Sequence, residues 1–214
     1  MAKKLSLSYA ITVKDELNEI KHLVSYLERN IEYEDEIVVL LDGINGDREV
    51  LNYLKSLDQT THPNVRWSVY NTSEPFDFSK LKNTLTDLCR GDYIFNIDAD
   101  EYPQLALLQN LDEILENDVD VYRIPRINTV KGITPEHIKK WGWSLNEKEW
   151  INYPDYQMRL YRRSPNIRWI NKVHEVLTGY ITIADLPAVE YLSLLHEKTI
   201  KRQESQNNLY QTMA

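Results

Sequence analysis

The sequence is short of several things, and each shortage narrows its reading. It holds one cysteine, Cys89, in 214 residues. A lone thiol excludes an internal disulfide framework and fits a reducing interior, so the expected location is cytoplasmic. Cys89 falls on an apolar position of an expected helix and reads as core, not as a nucleophile. No stretch approaches the roughly 18 consecutive apolar residues of a membrane span. The amino terminus, Met1-Ala2-Lys3-Lys4-Leu5, is basic, but Ser6-Leu7-Ser8-Tyr9-Ala10 is too polar for a signal-peptide core. Internal repeats, low-complexity tracts and a linker to a second domain are also missing, so one domain over residues 1–214 is expected.

Charge is plentiful but uneven. The chain carries 33 Asp and Glu against 25 Lys and Arg, a formal charge of −8. Residues 121–172 reverse that balance, with 11 Lys and Arg against 4 Asp and Glu. Trp141, Trp143, Trp150 and Trp169 lie in the same stretch. A positive, aromatic-rich segment suits an anionic or stackable partner; a loop-rich half that needs large side chains for its core would look the same.

The first half alternates two periods. Residues 7–13, 36–41, 65–70, 92–97 and 119–124 are short apolar runs of strand length. Between them, Leu17, Ile20, Leu23, Leu27 and Ile31 recur at helical spacing, and residues 47–57, 78–90 and 105–115 read as further helices. Strands that are apolar throughout and separated by amphipathic helices imply an α/β fold with a mainly parallel sheet covered on both faces. Ligands in such sheets bind beyond the carboxyl ends of the strands. The polar residues there are Lys14-Asp15-Glu16, Asp42-Gly43 and Asp98-Ala99-Asp100-Glu101. From about residue 127 the pattern loosens. Residues 131–154 show no period and read as a long functional loop, with order returning at residues 156–161 and 167–176. The tail over residues 197–210 is polar and helix-compatible.

Asp98 and Asp100 stand two apart after an apolar strand. In extended chain that spacing projects both carboxylates to one side, where they can address one point. Two hard oxygen ligands, with diphosphate oxygens and water, suit Mg²⁺ or Mn²⁺. Such an ion neutralises and orients a departing diphosphate. His196, after the strand-like run Tyr191-Leu192-Ser193-Leu194-Leu195, could complete the shell as a neutral imidazole.

The run Asp92-Tyr93-Ile94-Phe95-Asn96-Ile97-Asp98-Ala99-Asp100-Glu101 resembles the D-x-D strand of family 2 glycosyltransferases, which have the GT-A fold. Residues 9–16 resemble that family's first strand and its polar turn, and residues 37–43 its second strand with a closing Asp. Phe78-Ser79-Lys80-Leu81-Lys82-Asn83 resembles the segment carrying a basic residue and an Asn. Residues 155–161 and Val173-His174-Glu175 look like acceptor-side elements of small bacterial and phage members. The resemblance implies a nucleotide-sugar half over about residues 1–101 and an acceptor half over about residues 102–214.

Roles follow from the resemblance. Thr12, Glu16 and Asp42 would line the nucleotide base pocket, and Lys80 would lie near the nucleotide or diphosphate. Asp98 would face the ribose and metal, and Asp100 would hold the metal. Transfer with inversion needs a general base on the acceptor hydroxyl, opposite the leaving diphosphate. Glu175 is the first candidate, with His174 beside it to orient the carboxylate; Asp155 is second and Glu101 third. Trp143 and its neighbouring tryptophans would stack on a sugar or base. The implied partners are a nucleoside-diphosphate sugar donor and, as acceptor, a glycan, a lipid-linked sugar or a modified nucleobase. Two other readings share these features: a non-catalytic nucleotide-sugar or glycan-binding module, and a nucleotidyltransferase. The latter usually shows a glycine-rich loop after the first strand, where this chain has Lys14-Asp15-Glu16-Leu17.

Overall fold

Strands that are apolar on both sides need cover on both faces, and the first half of the chain supplies it. The computed structural model describes residues 4–213; Met1, Ala2, Lys3 and Ala214, and so most of the basic amino terminus, lie outside the described residues. The chain runs β1 (Leu7–Val13), α1 (Leu17–Glu28), β2 (Glu36–Asp42), α2 (Arg48–Ser56), β3 (Val65–Tyr70), α3 (Phe78–Leu88) and β4 (Tyr93–Asp98). Asp47 and Asp77 start α2 and α3 by accepting from backbone N–H groups of the first turn, at 2.9 Å for Glu49 and 2.8 Å for Ser79. The four strands pair in parallel in the order β3-β2-β1-β4. One core layer packs Ile20, Leu23 and Leu27 of α1 and Leu54 of α2 against Ile11, Val39 and Phe95. The other packs Leu81 and Leu85 of α3 against Ala10, Leu40 and Ile94. Cys89 belongs to that second layer, and burial pushes its thiol up to about 12.

The second half continues the sheet with a change of direction. It runs β5 (Glu101–Pro103), α4 (Leu105–Gln109), α5 (Leu111–Leu115), β6 (Val121–Lys131), α6 (Pro135–Trp141), β7 (Ile151–Arg162), β8 (Arg168–Ile170), β9 (Val176–Thr178), β10 (Ile183–Asp185), β11 (Leu194–Thr199) and α7 (Ile200–Met213). The full order is β3-β2-β1-β4-β7-β6-β11-β5, with β10 pairing β6. β7 is antiparallel to β4 and β6, while β11 is parallel to β6 and antiparallel to β5. β4 and β5 are therefore consecutive in sequence yet separated in the sheet by β7, β6 and β11. Asp98-Ala99-Asp100 sits where the chain leaves β4, at the carboxyl end of the parallel strands. Among the described residues no helix is long and apolar enough to cross a membrane.

Several expected elements change shape. The helix read over residues 105–115 is two short ones, broken at Asn110 (φ −103°, ψ 3°). The strand expected to end at residue 124 continues through Pro125 to Lys131, because β7 pairs along it. Residues 131–154, read as one irregular loop, contain the end of β6, all of α6 and the start of β7. The strand read over residues 167–176 is a hairpin, β8 and β9, joined through residues 171–175. The run Tyr191-Leu192-Ser193-Leu194-Leu195 splits into a short 3-10 turn at Glu190–Leu192 and the start of β11. His196 thus lies inside that strand, not after it.

Gly91 stands where the chain enters β4 against the backbone of β1. A Cβ there would lie 2.6 Å from the Ser8 nitrogen and 2.7 Å from the Leu7 carbonyl carbon, both backbone atoms that cannot turn aside. Gly91→Ala is expected to destabilise the fold by about 1–3 kcal/mol through overpacking. Urea unfolding of the two proteins measures this, and equal midpoints would contradict it.

Candidate active site

The carboxyl ends of β1, β2 and β4 open onto a cleft of about 1850 Å³. Thr12, Glu16, Asp42, Asp98 and Asp100 line its first-half wall, and Trp143, Asp155, His174, Glu175 and His196 its second-half wall. Lys80 is absent from both. It is exposed on α3, and Lys82, two residues on, faces the cleft instead. This corrects the expected basic residue: Lys82 falls on the apolar stripe of α3, four after Phe78 and three before Leu85, whereas Lys80 points away.

A chain of ion pairs crosses beneath the cleft. Arg159 Nη2 donates to Asp98 Oδ2 at 2.5 Å and to Glu101 Oε1 at 2.6 Å. Arg126 Nη1 donates to the same Glu101 oxygen at 2.8 Å, and its Nε and Nη2 donate to Asp155 Oδ2 at 2.9 and 2.7 Å. Asn128 Nδ2 donates to that Asp155 oxygen at 2.8 Å, and Gln157 Nε2 to the other at 2.7 Å. Burial would raise the Asp98 carboxyl, but the Arg159 charge, with Lys82 and Arg126, holds it well below the usual range. Asp155 is lowered in the same way, burial opposing and Arg126 with Asn128 prevailing. Glu101, wholly buried, is locked between two guanidinium groups.

Asp100 belongs to a different group of partners. Its Oδ2 lies 3.5 Å from His196 Nε2, 3.6 Å from Arg202 Nε and 3.9 Å from Lys198 Nζ. Burial raises its carboxyl, but its basic surroundings, Lys198 among them, outweigh that and hold it below the usual carboxylate range. The His196 tautomer is set by its neighbours. Asn128 gives its amide N–H to Asp155, so its Oδ1 faces His196 Nδ1 at 2.7 Å and accepts. Burial keeps the imidazole below its ordinary pKa, hence neutral, and Nε2 presents a lone pair towards Asp100. A carboxylate and an imidazole lone pair facing each other fit a shared divalent cation. Asp98 has its Oδ2 taken by Arg159 and its Oδ1 towards Thr12. Among the described residues no three His, Cys, Asp or Glu side chains gather into a metal cage, so the expected set of Asp98, Asp100 and His196 is not assembled as one group.

The β8–β9 hairpin brings in Glu175. Asn83 of α3 donates to the Trp169 carbonyl at 2.8 Å and accepts from the Trp169 N–H at 2.9 Å, stapling β8 to the helix. The Phe78 N–H donates to the Lys172 carbonyl at 3.1 Å. His174 takes a left-handed turn (φ 55°) that ends the bend before Glu175. Glu175 Oε1 then stands 3.4 Å from Lys82 Nζ, which itself lies 4.7 Å over the Trp169 ring.

The family profile described as Glycosyl transferase family 2 matches residues 8–174, most of the chain. This chain belongs to that family. Its fold is also similar to the crystal structure of S. aureus TarS 1-349 (TM-score 0.61, 15% identity), covering 91% of this chain and 60% of that one. The complexes of TarS 1-349 with UDP-GlcNAc and with UDP match alike, with TM-scores of 0.61 and 0.62 at 16% and 15% identity, covering 92% and 90% of this chain and 59% and 60% of theirs. The chain spans about three-fifths of the length of these relatives.

In this family 2 chain the remaining expected residues divide. Thr12 Oγ1 stands 3.4 Å from Asp98 Oδ1 at the end of β1. Asp42 caps its own turn, accepting from the N–H groups of Ile44 and Asn45 and from the Asn45 amide. Glu16 accepts from the Lys14 and Asp15 N–H groups and pairs with Arg202 of α7, tying that helix across the cleft mouth. Trp143 lies 4.7 Å from the Trp141 ring, which stacks on His137 at 5.1 Å. Trp141 and Trp143 are both half-buried, and Trp143 lines the cleft. Sequence reasoning missed Lys82, Arg126, Arg159, Lys198 and Arg202.

Asp155 has a folded pKa below its unfolded one, so its stabilisation is complete above about pH 4 and is lost as pH falls through the lower folded value. Asp155→Asn is expected to cost about 1–3 kcal/mol at neutral pH and to flatten the acid limb of the stability curve. Urea unfolding at neutral pH and at about pH 3.5 measures both. An unchanged acid limb would remove Asp155 from the ion chain.

Proposed function

We propose that this chain moves a sugar from a nucleoside-diphosphate donor to an acceptor hydroxyl, with inversion and with a divalent cation held by Asp100 and His196. The observation that carries the reading is the ionised Asp100 facing a neutral imidazole at the carboxyl end of β4, in a family 2 fold whose cleft has room for two substrates. Mg²⁺ or Mn²⁺ there would supply counter-charge to the leaving diphosphate. Asp98 offers Oδ1 beside Thr12 to the donor ribose, and Asp42 and Glu16 shape the loops around the base. Lys82 brings a cation between the donor and Glu175.

Glu175 is the general base. It accepts the acceptor hydroxyl's proton as that oxygen bonds the anomeric carbon and the bond to the diphosphate breaks. Asp155 and Glu101 cannot serve, since every oxygen of theirs accepts from a guanidinium, an amide or the Asp98 N–H. The acceptor is read as a glycan, for which Trp143 on the cleft wall offers a stacking face. The basic excess over residues 121–172 is answered internally in part, by Asp185 for Arg123, by Asp118 and Asp120 for Arg162 and by Asp87 for Arg168, with Arg126 and Arg159 in the ion chain. Of the remaining cations in that stretch, Lys131, Lys139, Lys140, Arg163 and Lys172 are exposed, Lys131 and Lys172 on the cleft wall.

A thermal-shift panel of UDP-, GDP-, CMP- and dTDP-sugars with and without Mn²⁺ tests the donor, since a ligand raises the melting temperature through linkage. Asp100→Ala is expected to abolish Mn²⁺-stimulated transfer or donor hydrolysis with the fold retained, and Glu175→Gln to lower kcat by about 10²–10⁴-fold. Binding without turnover in the wild type would favour the non-catalytic module. Full activity in Asp100→Ala would sink the metal assignment.

Trp143→Ala is expected to raise the acceptor KM by about tenfold, which is about 1.4 kcal/mol of binding, with little change in melting temperature. Residues 131–154 should also gain hydrogen-exchange protection on adding donor, as a flap that closes over the acceptor. A mutant that chiefly loses stability would make the ring packing only.

A further inference from the structure

Arg159 sits at the one place where both ends of Asp98 are held. Its Nη2 donates to Asp98 Oδ2 and to Glu101 Oε1, and Glu101 Oε2 accepts from the Asp98 backbone N–H at 3.1 Å. Side chain and backbone of Asp98 are therefore fixed by one guanidinium–carboxylate pair. The Arg159 side chain is 4% exposed and that of Glu101 is wholly buried, so both groups have given up water. Burying ions in this way stabilises a fold little better than apolar packing would, and its usual return is a defined geometry. Here the geometry is plain. Arg159 Nη1 reaches Asn96 Oδ1 at 3.3 Å, one strand across from β7, so its plane is anchored on β4 itself. With Oδ2 taken, Asp98 turns Oδ1 towards Thr12 and the cleft.

We propose that Arg159 is a positioning residue for sugar transfer: it holds one oxygen of Asp98 so that the other is presented to the donor. Arg126 extends the same hold, because it shares Glu101 Oε1 and anchors that carboxylate to Asp155 on β7. The donor contact at the end of β4 is thereby set by strands that belong to the acceptor side. This rests on the transferase reading above.

The test uses the full chain, with UDP-glucose, UDP-GlcNAc and GDP-mannose hydrolysis in Mn²⁺ as the activity, and calorimetric titration of UDP and GDP as a readout independent of turnover. Arg159→Lys keeps the charge but cannot span Asp98 and Glu101 together. It is expected to raise the donor KM and the nucleotide Kd by about tenfold, with kcat changed by less than about threefold. Asp98→Asn should give a similar rise, and the double variant should be no worse than Asp98→Asn alone, since Arg159 acts through Asp98. Multiplying effects in the double variant would overturn the proposal, as would an Arg159→Lys protein that melts lower while its donor KM and Kd stay put. Should Arg159→Lys fail to fold, Arg126→Lys takes its place, with a smaller rise in donor KM that must vanish in the Asp98→Asn background. A wild type that neither binds nor hydrolyses any of these probes would overturn the transferase reading and this inference with it. An active wild type with an indifferent Arg159→Lys overturns the inference alone.

Discussion

A charge removed from water has to be answered by another charge or by hydrogen bonds, and the carboxyl end of this sheet is arranged around that requirement. Glu101 has no solvent at all. It follows β4 directly in sequence, yet its strand pairs at the far side of β11. The strands that lie between, β7 and β6, each place an arginine against it. The ion pairs therefore do topological work: they tie the antiparallel half of the sheet to the D-x-D turn of the parallel half. Without Arg159 and Arg126, the split between β4 and β5 would leave a buried carboxylate with only a backbone N–H.

The same requirement sorts the carboxylates by chemistry. Asp155 accepts from Arg126, Asn128 and Gln157, and so has no basic oxygen to offer. Glu175 faces one ammonium at 3.4 Å and the open cleft. Asp100 faces two cations, Arg202 at 3.6 Å and Lys198 at 3.9 Å, too far for a saturated carboxylate and close enough to keep it ionised. Proximity to the D-x-D turn alone would not have separated these roles; the count and distance of donors does.

Much of the parallel half was legible from the sequence. The bounds of β1 and β3 coincide with the apolar runs, and α3 starts at Phe78 as its spacing predicts. Apolar runs between helices have one good solution, a covered parallel sheet, so pattern and fold agree. The second half was illegible for a physical reason. In β11 the inward positions are Leu194, His196 and Lys198, so the buried face is two-thirds polar and the alternation is hidden. In β7, Arg159 sits between Met158 and Leu160 and reads as an interruption, although it is buried like the Leu160 and Tyr161 that follow it. Lys82 offered a signal that went unused, since its place on the apolar stripe of α3 is visible without coordinates. Hydrophobic periodicity finds strands whose buried face is apolar; it misses those whose buried face is a site.

The family match ends at residue 174, and the groups that complete the cleft come after it. Glu175, His196, Lys198 and Arg202 all lie in the hairpin, β11 or α7. The matched part builds the sheet and brings Asp98 and Asp100 to its edge. The part that follows sets the state of Asp100, while that of Asp98 is set within the match by Arg159, Lys82 and Arg126. Arg202 joins α7 to Glu16 in the first turn and to Asp100, so the helix closes the cleft mouth only while both acids are ionised. A ligand that neutralises or displaces either acid weakens that closure, and one that bridges to Arg202 strengthens it. Lys198 and Arg202 are the cations that an anionic ligand beside Asp100 would meet. Ion pairs from Arg202 to Glu16 and Asp100 thus join the carboxyl-terminal helix to the carboxyl end of the parallel strands.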